Sequence, residues 1–462
     1  MPLRVVHVVH DYLPRHQAGS ELYVAALCAQ QRVLGHNPTV FAATYAPGRR
    51  QGEFRWRVHD GVPVIEVVNN WEAGDFPETY DAGWLQRAFT RVLEAAEPHV
   101  VHVHNLMNLA LGLPALAHGR GLPVVATLHD YTFACPSGGQ RIHRRESHIC
   151  HRIDPARCAR CFSESPFHAQ WHFGRMTRAL PAGRARRLAA RAARIPVLAR
   201  VGRTGTRGSA TPATTAVDIE RRLDVAREVF RHFRRVVAPS RSLADEYRSL
   251  GFPAGRIEVS DYGFAPLERA TRSASAAGRL RIGFMGTLVW HKGADVLVEA
   301  ARLLPRGRVV VRLHGDEHVF PEYTQQLRAR AHDLPVEFRG RFDHADVAAV
   351  LAGLDVLVVP SRWLENSPLV IHEAFMARVP VVASAIGGIP DLLGAGAHGV
   401  LVPPDDPAAL ADALCQLIES PHRVRALADR SPAVKTIADD AAEWVARYES
   451  AIREVALGIA AS

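Results

Sequence analysis

The chain has 462 residues, 48% hydrophobic and 7% aromatic, and a net charge of +9. That length exceeds what one core organises and points to two domains. The longest apolar runs fall short of the roughly 18 residues a membrane span needs, and six cysteines in so long a chain exclude a disulfide scaffold.

The N-terminal "LRVVHVVH" (Leu3 to His10) reads as a strand broken by polar residues, not as a leader, so a reducing, cytoplasmic setting is expected. A glycine loop, "RHQAGSELYV", then opens a helix to about Leu34. "NPTVFAAT", "VPVIEVV", "HVVHVHN" (His99 to Asn105) and "LPVVATLHD" (Leu122 to Asp130) read as further strands, and "RRVVAPS" and "IEVSDYG" close this half near Phe264. Short apolar runs alternating with helices predict a parallel sheet covered on both faces.

An Ala/Ser-rich linker (268–278) follows, and the pattern restarts with "LRIGFMG", "RVVVRLHG", "PVEFRG", "LDVLVVPS", "VPVVAS" and "GVLVPP". A last helix from about Asp439 to Ala456 shows Ala442, Val445, Ala446, Tyr448, Ile452 and Val455 at helical spacing. The expected architecture is α/β, two Rossmann-like domains, with a first domain at 1–267, a second at 279–438 and the last helix at 439–462.

Two segments sit apart from this pattern inside the first domain. Cys135, Cys150, Cys158 and Cys161 lie within the loop 135–161, the last two at CxxC spacing. They read either as a structural zinc site, with His143, His148 and His151 as further candidate ligands, or as reduced cysteines without metal. Four thiolates leave no open coordination position, so such a metal would order the loop and not catalyse. The insert at about 162–217 carries ten arginines between Ser165 and Val217 and no acid. It reads, in order of preference, as a solvated surface, an anionic-membrane patch or a nucleic-acid contact. Sparse aromatics count against nucleic acid.

In the second half, three loops follow strands and carry unusual residues. The first holds Gly286 and then Lys292-Gly293. The second is "PSRWLENSPLVIHEAF", with Glu365 and Glu373. The third holds Gly387 and Gly388. Ligands in open parallel sheets sit beyond the carboxyl ends of the strands, so the three loops share one crevice. Glycines admit a close backbone approach, helix starts offer N–H groups to anions, and a lysine adds a charge suited to phosphate. Ser367 reads as the N-cap of the Glu373 helix with Pro368 as its first residue. A carboxylate can accept two hydroxyls at once, which suits the diols of a ribose or a hexose. Taken singly, each acid reads as a surface acid and each glycine as a turn; the convergence of three loops is what favours a site.

"ENSPLVIHEAFMARVPVVAS", with its E-x7-E spacing, and "FMGTLVWHKGADVL", "TLHDY", "QAGSELYVAALCAQQRVLGH", "VVAPSRSLADEY" and "VKTIADDAAEWVARY" together resemble glycosyltransferase family 4. The resemblance implies a GT-B fold, whose two Rossmann-like domains face each other across a cleft and whose last helix returns to the first domain. It implies a retaining glycosyltransferase using a nucleotide-diphosphate sugar donor and a saccharide or lipid-linked acceptor, with no metal in catalysis. On it, Glu373 would bind the ribose, Glu365 the donor sugar, and Lys292 the diphosphate. Gly19 and Ser20 would approach that diphosphate, and His129 would lie over the reactive carbon. The family's arginine after Gly286 is replaced by Thr287, and Arg362 is the candidate substitute; a single glycine stands in "AGSE" where the family has two. A lipid-linked acceptor would raise the weight of the membrane reading. A nucleotide-sugar 2-epimerase and a non-catalytic sugar-nucleotide binder share the architecture and stay open.

Overall fold

The computed structural model describes residues 1–180, 211–268 and 278–459, except 144, 254 and 256, and also 182, 183, 186 and 187. Residues 181, 184, 185 and 188–210 of the arginine-rich stretch and nearly all of the expected linker therefore lie outside the described residues. The chain divides into two units. The first comprises Met1–Pro239, Ala244–Ser260 and Ile437–Ser462; the second comprises Ser240–Leu243 and Asp261–Thr436. The second unit begins earlier than the linker composition suggested.

The first unit holds an eight-stranded sheet. Its strands are β1 (Arg4–Val9), β2 (Asn37–Thr44), β3 (Phe54–His59), β4 (Val62–Val68), β5 (Val100–Val103), β6 (Val124–Thr127), β9 (Arg235–Ala238) and β10 (Ile257–Val259). β7 (Ile142–His143) and β8 (His148–Ile149) form a separate hairpin. The sheet order is β10-β9-β6-β5-β1-β2-β4-β3, and only the β3–β4 pair is antiparallel. Valine-rich strands such as β1 and β5 are buried throughout or nearly so, as a sheet covered on both faces requires.

β3 is absent from the sequence reading because its pattern is inverted. Trp56 and Val58 face solvent, while Arg55 and Arg57 turn inward to the buried carboxylate of Glu66 at 3.3 and 3.0 Å. An edge strand with charges pointing inward is also a poor template for pairing with another sheet.

The final helix, Ile437–Ala456, belongs to the first unit. Its buried face is Ile437, Asp440, Ala441, Trp444, Tyr448 and Ala451, which replaces the expected face apart from Tyr448. The buried acid explains the error. Asp440 accepts a hydrogen bond from Tyr23 Oη at 2.7 Å, and Trp444 Nε1 donates to the same hydroxyl at 2.9 Å, so polar residues occupy the core stripe.

The second unit holds β11 (Leu280–Met285), β12 (Val309–His314), β13 (Val336–Gly340), β14 (Val356–Val359), β15 (Val381–Ser384) and β16 (Val400–Val402). They form one parallel sheet in the order β13-β12-β11-β14-β15-β16. The chain winds outward from β11 in one direction and from β14 in the other. The β11/β14 boundary is therefore the switch point where doubly wound sheets bind ligands, as β1/β5 is in the first unit.

Candidate active site residues

The loops after β11 and β14 flank the switch point of the second unit. After β11 comes Gly286 at φ +148°, then a single turn, Trp290–Lys292, and Gly293 at φ +74° capping the Ala294–Ala301 helix. A Cβ on Gly293 would lie 1.8 Å from Pro360 O at the end of β14, so only glycine lets the two loops close on each other.

That closure brings Lys292 to Glu365. Its Nζ lies 2.7 Å from Glu365 Oε1, which also accepts from Ser361 Oγ at 2.6 Å. Lys292 also sits over the Trp363 ring, 4.9 Å from its centre. Glu365 is 4% exposed. Both contacts fall on Oε1, and Oε2 keeps its acceptor capacity. An ammonium has three donors, so the pair does not exhaust Lys292 either.

Gly387 and Gly388 press against the same loop. A Cβ on Gly387 would meet Glu365 O at 2.2 Å, one on Gly388 would meet Asn366 O at 1.9 Å, and Gly388 N donates to Glu365 O at 2.7 Å. Their visible role is to clamp the backbone beneath Glu365.

Glu373 lies in the Leu369–Met376 helix and is 7% exposed. Burial pushes its carboxyl up to about 7. His344 Nδ1 lies 3.7 Å from its Oε1. This is a carboxyl poised to ionise when hydroxyl donors reach it.

Two expectations are corrected here. Pro368, not Ser367, is the N-cap of this helix, because the Ser367 hydroxyl is engaged with Asp261 at 2.7 Å and His372 Nε2 at 2.8 Å. Arg362 is not a spare phosphate cation. Its guanidinium forks onto Asp295 at 2.7 and 3.0 Å and also meets Asp405 at 2.7 Å, and such bidentate pairs fix the group in place.

In the first unit, His129 follows β6 and joins a buried histidine chain. The neighbouring strands β1 and β5 place His7 opposite His102, and His104 lies at the end of β5. His7 Nε2 contacts Gln31 Oε1 at 2.9 Å, His7 Nδ1 contacts His104 Nε2 at 3.0 Å, and His104 Nδ1 contacts His129 Nε2 at 3.1 Å. Gln31 Nε2 donates to Tyr448 Oη at 3.1 Å. Its oxygen therefore faces His7 and sets every tautomer. His7 carries its proton on Nε2, His104 donates from Nε2 to His7, and His129 donates from Nε2 to His104. His129 Nδ1 then bears a lone pair. Burial drives the pKa of His129 down to about 3 and that of His7 to about 4, so the rings are neutral. The sequence reading missed His7, His102 and His104; the period-two spacing of His102 and His104 in "HVVHVHN" was the available signal.

Gly19 opens the Gly19–Val33 helix and Ser20 follows it. Ser20 Oγ donates to Glu21 at 3.1 Å, as does Ala18 N at 3.1 Å. Burial raises the Glu21 carboxyl, but the hydrogen bond from His16 and the charges of His10 and His16 outweigh it and hold it at about 2. Among the described residues, His10, His16 and Glu21 could hold a cation, as could His7, His102 and His104. In the second group both nitrogens of every ring are already committed.

Cys135, Cys150, Cys158 and Cys161 line one small cavity, and His143, His148 and His151 do not. His148 Nε2 instead contacts Arg157 at 2.9 Å.

Two family models match the chain: one described as Glycosyltransferase Family 4 over residues 18–176, and one described as Glycosyl transferases group 1 over 279–420. The chain is similar to D-inositol 3-phosphate glycosyltransferase 1 of Catenulispora acidiphila, 34% identical over 31% of this chain and 37% of that protein. It is also similar to alpha-D-kanosaminyltransferase of Streptomyces kanamyceticus, 29% identical over 33% of this chain and 40% of that protein. The chain thus spans less than half the length of these curated relatives. Among solved structures it resembles Anabaena Alr3699/HepE in complex with UDP and glucose, with a TM-score of 0.61, 18% identity, and coverage of 97% of this chain and 99% of that one. It also resembles sucrose-phosphate synthase from Thermosynechococcus elongatus, with a TM-score of 0.62, 17% identity, and coverage of 96% and 98%. At these identities the likeness establishes the fold, which is GT-B.

Proposed function

Because the chain belongs to glycosyltransferase family 4, we propose that it transfers a sugar, with retention, from a nucleotide-diphosphate donor to a saccharide or lipid-linked acceptor. Synthesis of a cell-surface polysaccharide or glycolipid is the setting this reading favours. The observation that carries it is the switch point of the second unit, where glycine-clamped loops bring Lys292 to Glu365 and the helix that follows carries the buried Glu373. The Anabaena neighbour solved with UDP and with UDP-glucose supports a donor of this class.

In this reading Glu373 accepts the ribose hydroxyls in its ionised form. Lys292 turns its remaining N–H donors to the diphosphate, and Glu365 Oε2 takes a hydroxyl of the donor sugar. Gly387 and Gly388 act through the backbone they clamp. The first unit supplies His129, which lies over the reactive carbon and helps to orient it, and the Gly19–Ser20 backbone serves the diphosphate. The acceptor oxygen forms its bond to the anomeric carbon on the face the diphosphate leaves, and its proton passes to a phosphate oxygen. No step calls for a metal.

Among the described residues no helix is long and apolar enough to cross a membrane. The arginine-rich stretch supports a peripheral placement on the anionic inner face of the plasma membrane, where a lipid-linked acceptor resides. Incubation with a matching donor separates the readings. Turnover that waits for an acceptor supports transfer, donor turnover without acceptor supports a 2-epimerase, and binding without turnover supports a binder.

A further inference from the structure

We propose that Cys135, Cys150, Cys158 and Cys161 hold one structural zinc ion that fastens the loop carrying His129. The inference is independent of the donor reading.

The four cysteines come from three separate pieces of chain. Cys135 lies in the loop after β6, Cys150 directly follows β8, and Cys158 and Cys161 stand one turn apart on the Pro155–Ser163 helix. All four line one cavity of about 20 Å³. That is room for a single small guest, since one water-sized sphere needs about 10–15 Å³. Among the described residues no histidine, aspartate or glutamate lines it, so the ligand set is thiolate alone. A set of four sulfurs with no carboxylate suits zinc over calcium or magnesium.

The charges around the cavity suit an anionic metal–thiolate cluster. Four thiolates and one Zn²⁺ carry a net charge of −2. Three arginines, Arg141, Arg152 and Arg157, share the lining with the cysteines. Arg141 is 3% exposed. One end of its guanidinium pairs with Glu246, but Nε and Nη2 are buried and lack a hydrogen-bond partner. A buried guanidinium with two unmet donors is costly beside neutral thiols and is satisfied beside a thiolate cluster.

The local fold also needs a fastening. β7 and β8 are two residues each, too short a hairpin to stand alone, and small elements without a core rely on metals or cross-links. Cys150 N donates to Arg141 O at 2.8 Å, which ties the hairpin end to the same arginine. Cys135 N donates to Tyr131 O at 2.7 Å, two residues beyond His129. Among the described residues no three of these sulfurs lie within 4.8 Å of one another. A tetrahedral site with Zn–S of about 2.3 Å therefore draws the sulfurs into the cavity, releases the thiol protons to solvent and replaces the contact of Cys161 Sγ with Ile142 O at 3.7 Å.

The test is elemental analysis of reduced, purified full-length protein, followed by replacement of the metal with cobalt(II). The expected result is one zinc per chain and a cobalt spectrum with the thiolate charge-transfer and visible bands of a tetrahedral four-sulfur site, both lost in Cys158→Ser/Cys161→Ser. Should that variant fail to fold, mass-spectrometric alkylation of the wild-type protein gives the same answer. The four cysteines should resist the reagent until a strong chelator removes zinc, then react together. Protein that stays metal-free after zinc addition with four freely reactive thiols, four cysteines found as disulfides, a cobalt spectrum with fewer sulfurs, or stoichiometric zinc retained by the double variant would each overturn the proposal.

Discussion

Lys292 Nζ lies 2.7 Å from Glu365 Oε1. The lysine of the glycine loop and the first acid of the E-x7-E segment are therefore one coupled unit, although they are far apart in sequence. Removing the acid releases the lysine as well as any sugar contact. Glu365→Ala should accordingly weaken nucleoside-diphosphate binding in addition to blurring the choice among sugars. Each charge-assisted contact is worth roughly 1.5–3 kcal/mol. A double-mutant cycle of Glu365→Ala and Lys292→Ala, read by calorimetry with UDP, GDP and ADP, should show non-additive losses. Strict additivity would mean that the two act separately.

Glu373→Gln should lose about tenfold or more in nucleotide affinity, since a neutral amide accepts hydroxyls less strongly than a carboxylate. Calorimetry with the nucleotide alone checks this. An unchanged affinity would remove the ribose assignment.

The Glu373 carboxyl, held near 7 by burial, makes a pH prediction with a defined sign. The folded pKa lies above the ordinary carboxyl value. In the free protein this group therefore contributes stability that is present below the unfolded value and lost as pH rises through 7. Nucleotide binding needs the ionised form and behaves oppositely. Affinity should fall as pH drops below 7, approaching about tenfold per unit. Both trends should vanish in Glu373→Gln, and a wild-type affinity flat between pH 5.5 and 8 would contradict the role.

Much of this was legible in the sequence. The six strands of the second unit follow from short apolar runs, four of which (β11, β12, β14 and β15) are buried along nearly their whole length, and the three loops follow from strand order. Pairings were not legible. Glu365 and Lys292 sit on adjacent loops only because Gly293 lets the Ala294–Ala301 helix start against Pro360. Arg362 looked available because Asp295 and Asp405 are remote in sequence. The histidine chain was hidden for the same reason, since β1, β5 and the helices bearing Gln31 and Tyr448 meet only once the sheet forms.

Tyr448→Phe tests that chain. It removes the hydroxyl joined to Gln31 Nε2 at 3.1 Å and to His102 Nδ1 at 2.7 Å, leaving buried polar atoms unmet. A loss of roughly 1–3 kcal/mol in stability is expected by denaturant unfolding. His104→Leu removes the acceptor that orients His129. It should lower kcat while leaving the KM for donor nearly unchanged, because His104 positions His129 and does not itself meet the nucleotide. A fall in donor affinity with kcat preserved would assign His104 another role.

The arginine-rich stretch should bring the protein to anionic vesicles at low salt, less at high salt, and not to neutral ones. Basic residues near such a surface contribute about 1 kcal/mol each and are screened by salt. Deleting 184–207 should abolish cosedimentation and leave nucleotide binding intact. A deletion variant that still sediments would place the anchor elsewhere.

The most direct measurement of the central claim is a thermal-shift panel of nucleoside-diphosphate sugars against the wild-type protein and Lys292→Ala/Glu373→Gln. A ligand at a hundred times its Kd stabilises by about 2.7 kcal/mol, enough to move the melting temperature visibly. At least one donor should raise the wild-type melting temperature and leave the double variant unmoved. No shift from any of them, or equal shifts in both proteins, would contradict the assignment of Lys292 and Glu373 to the donor.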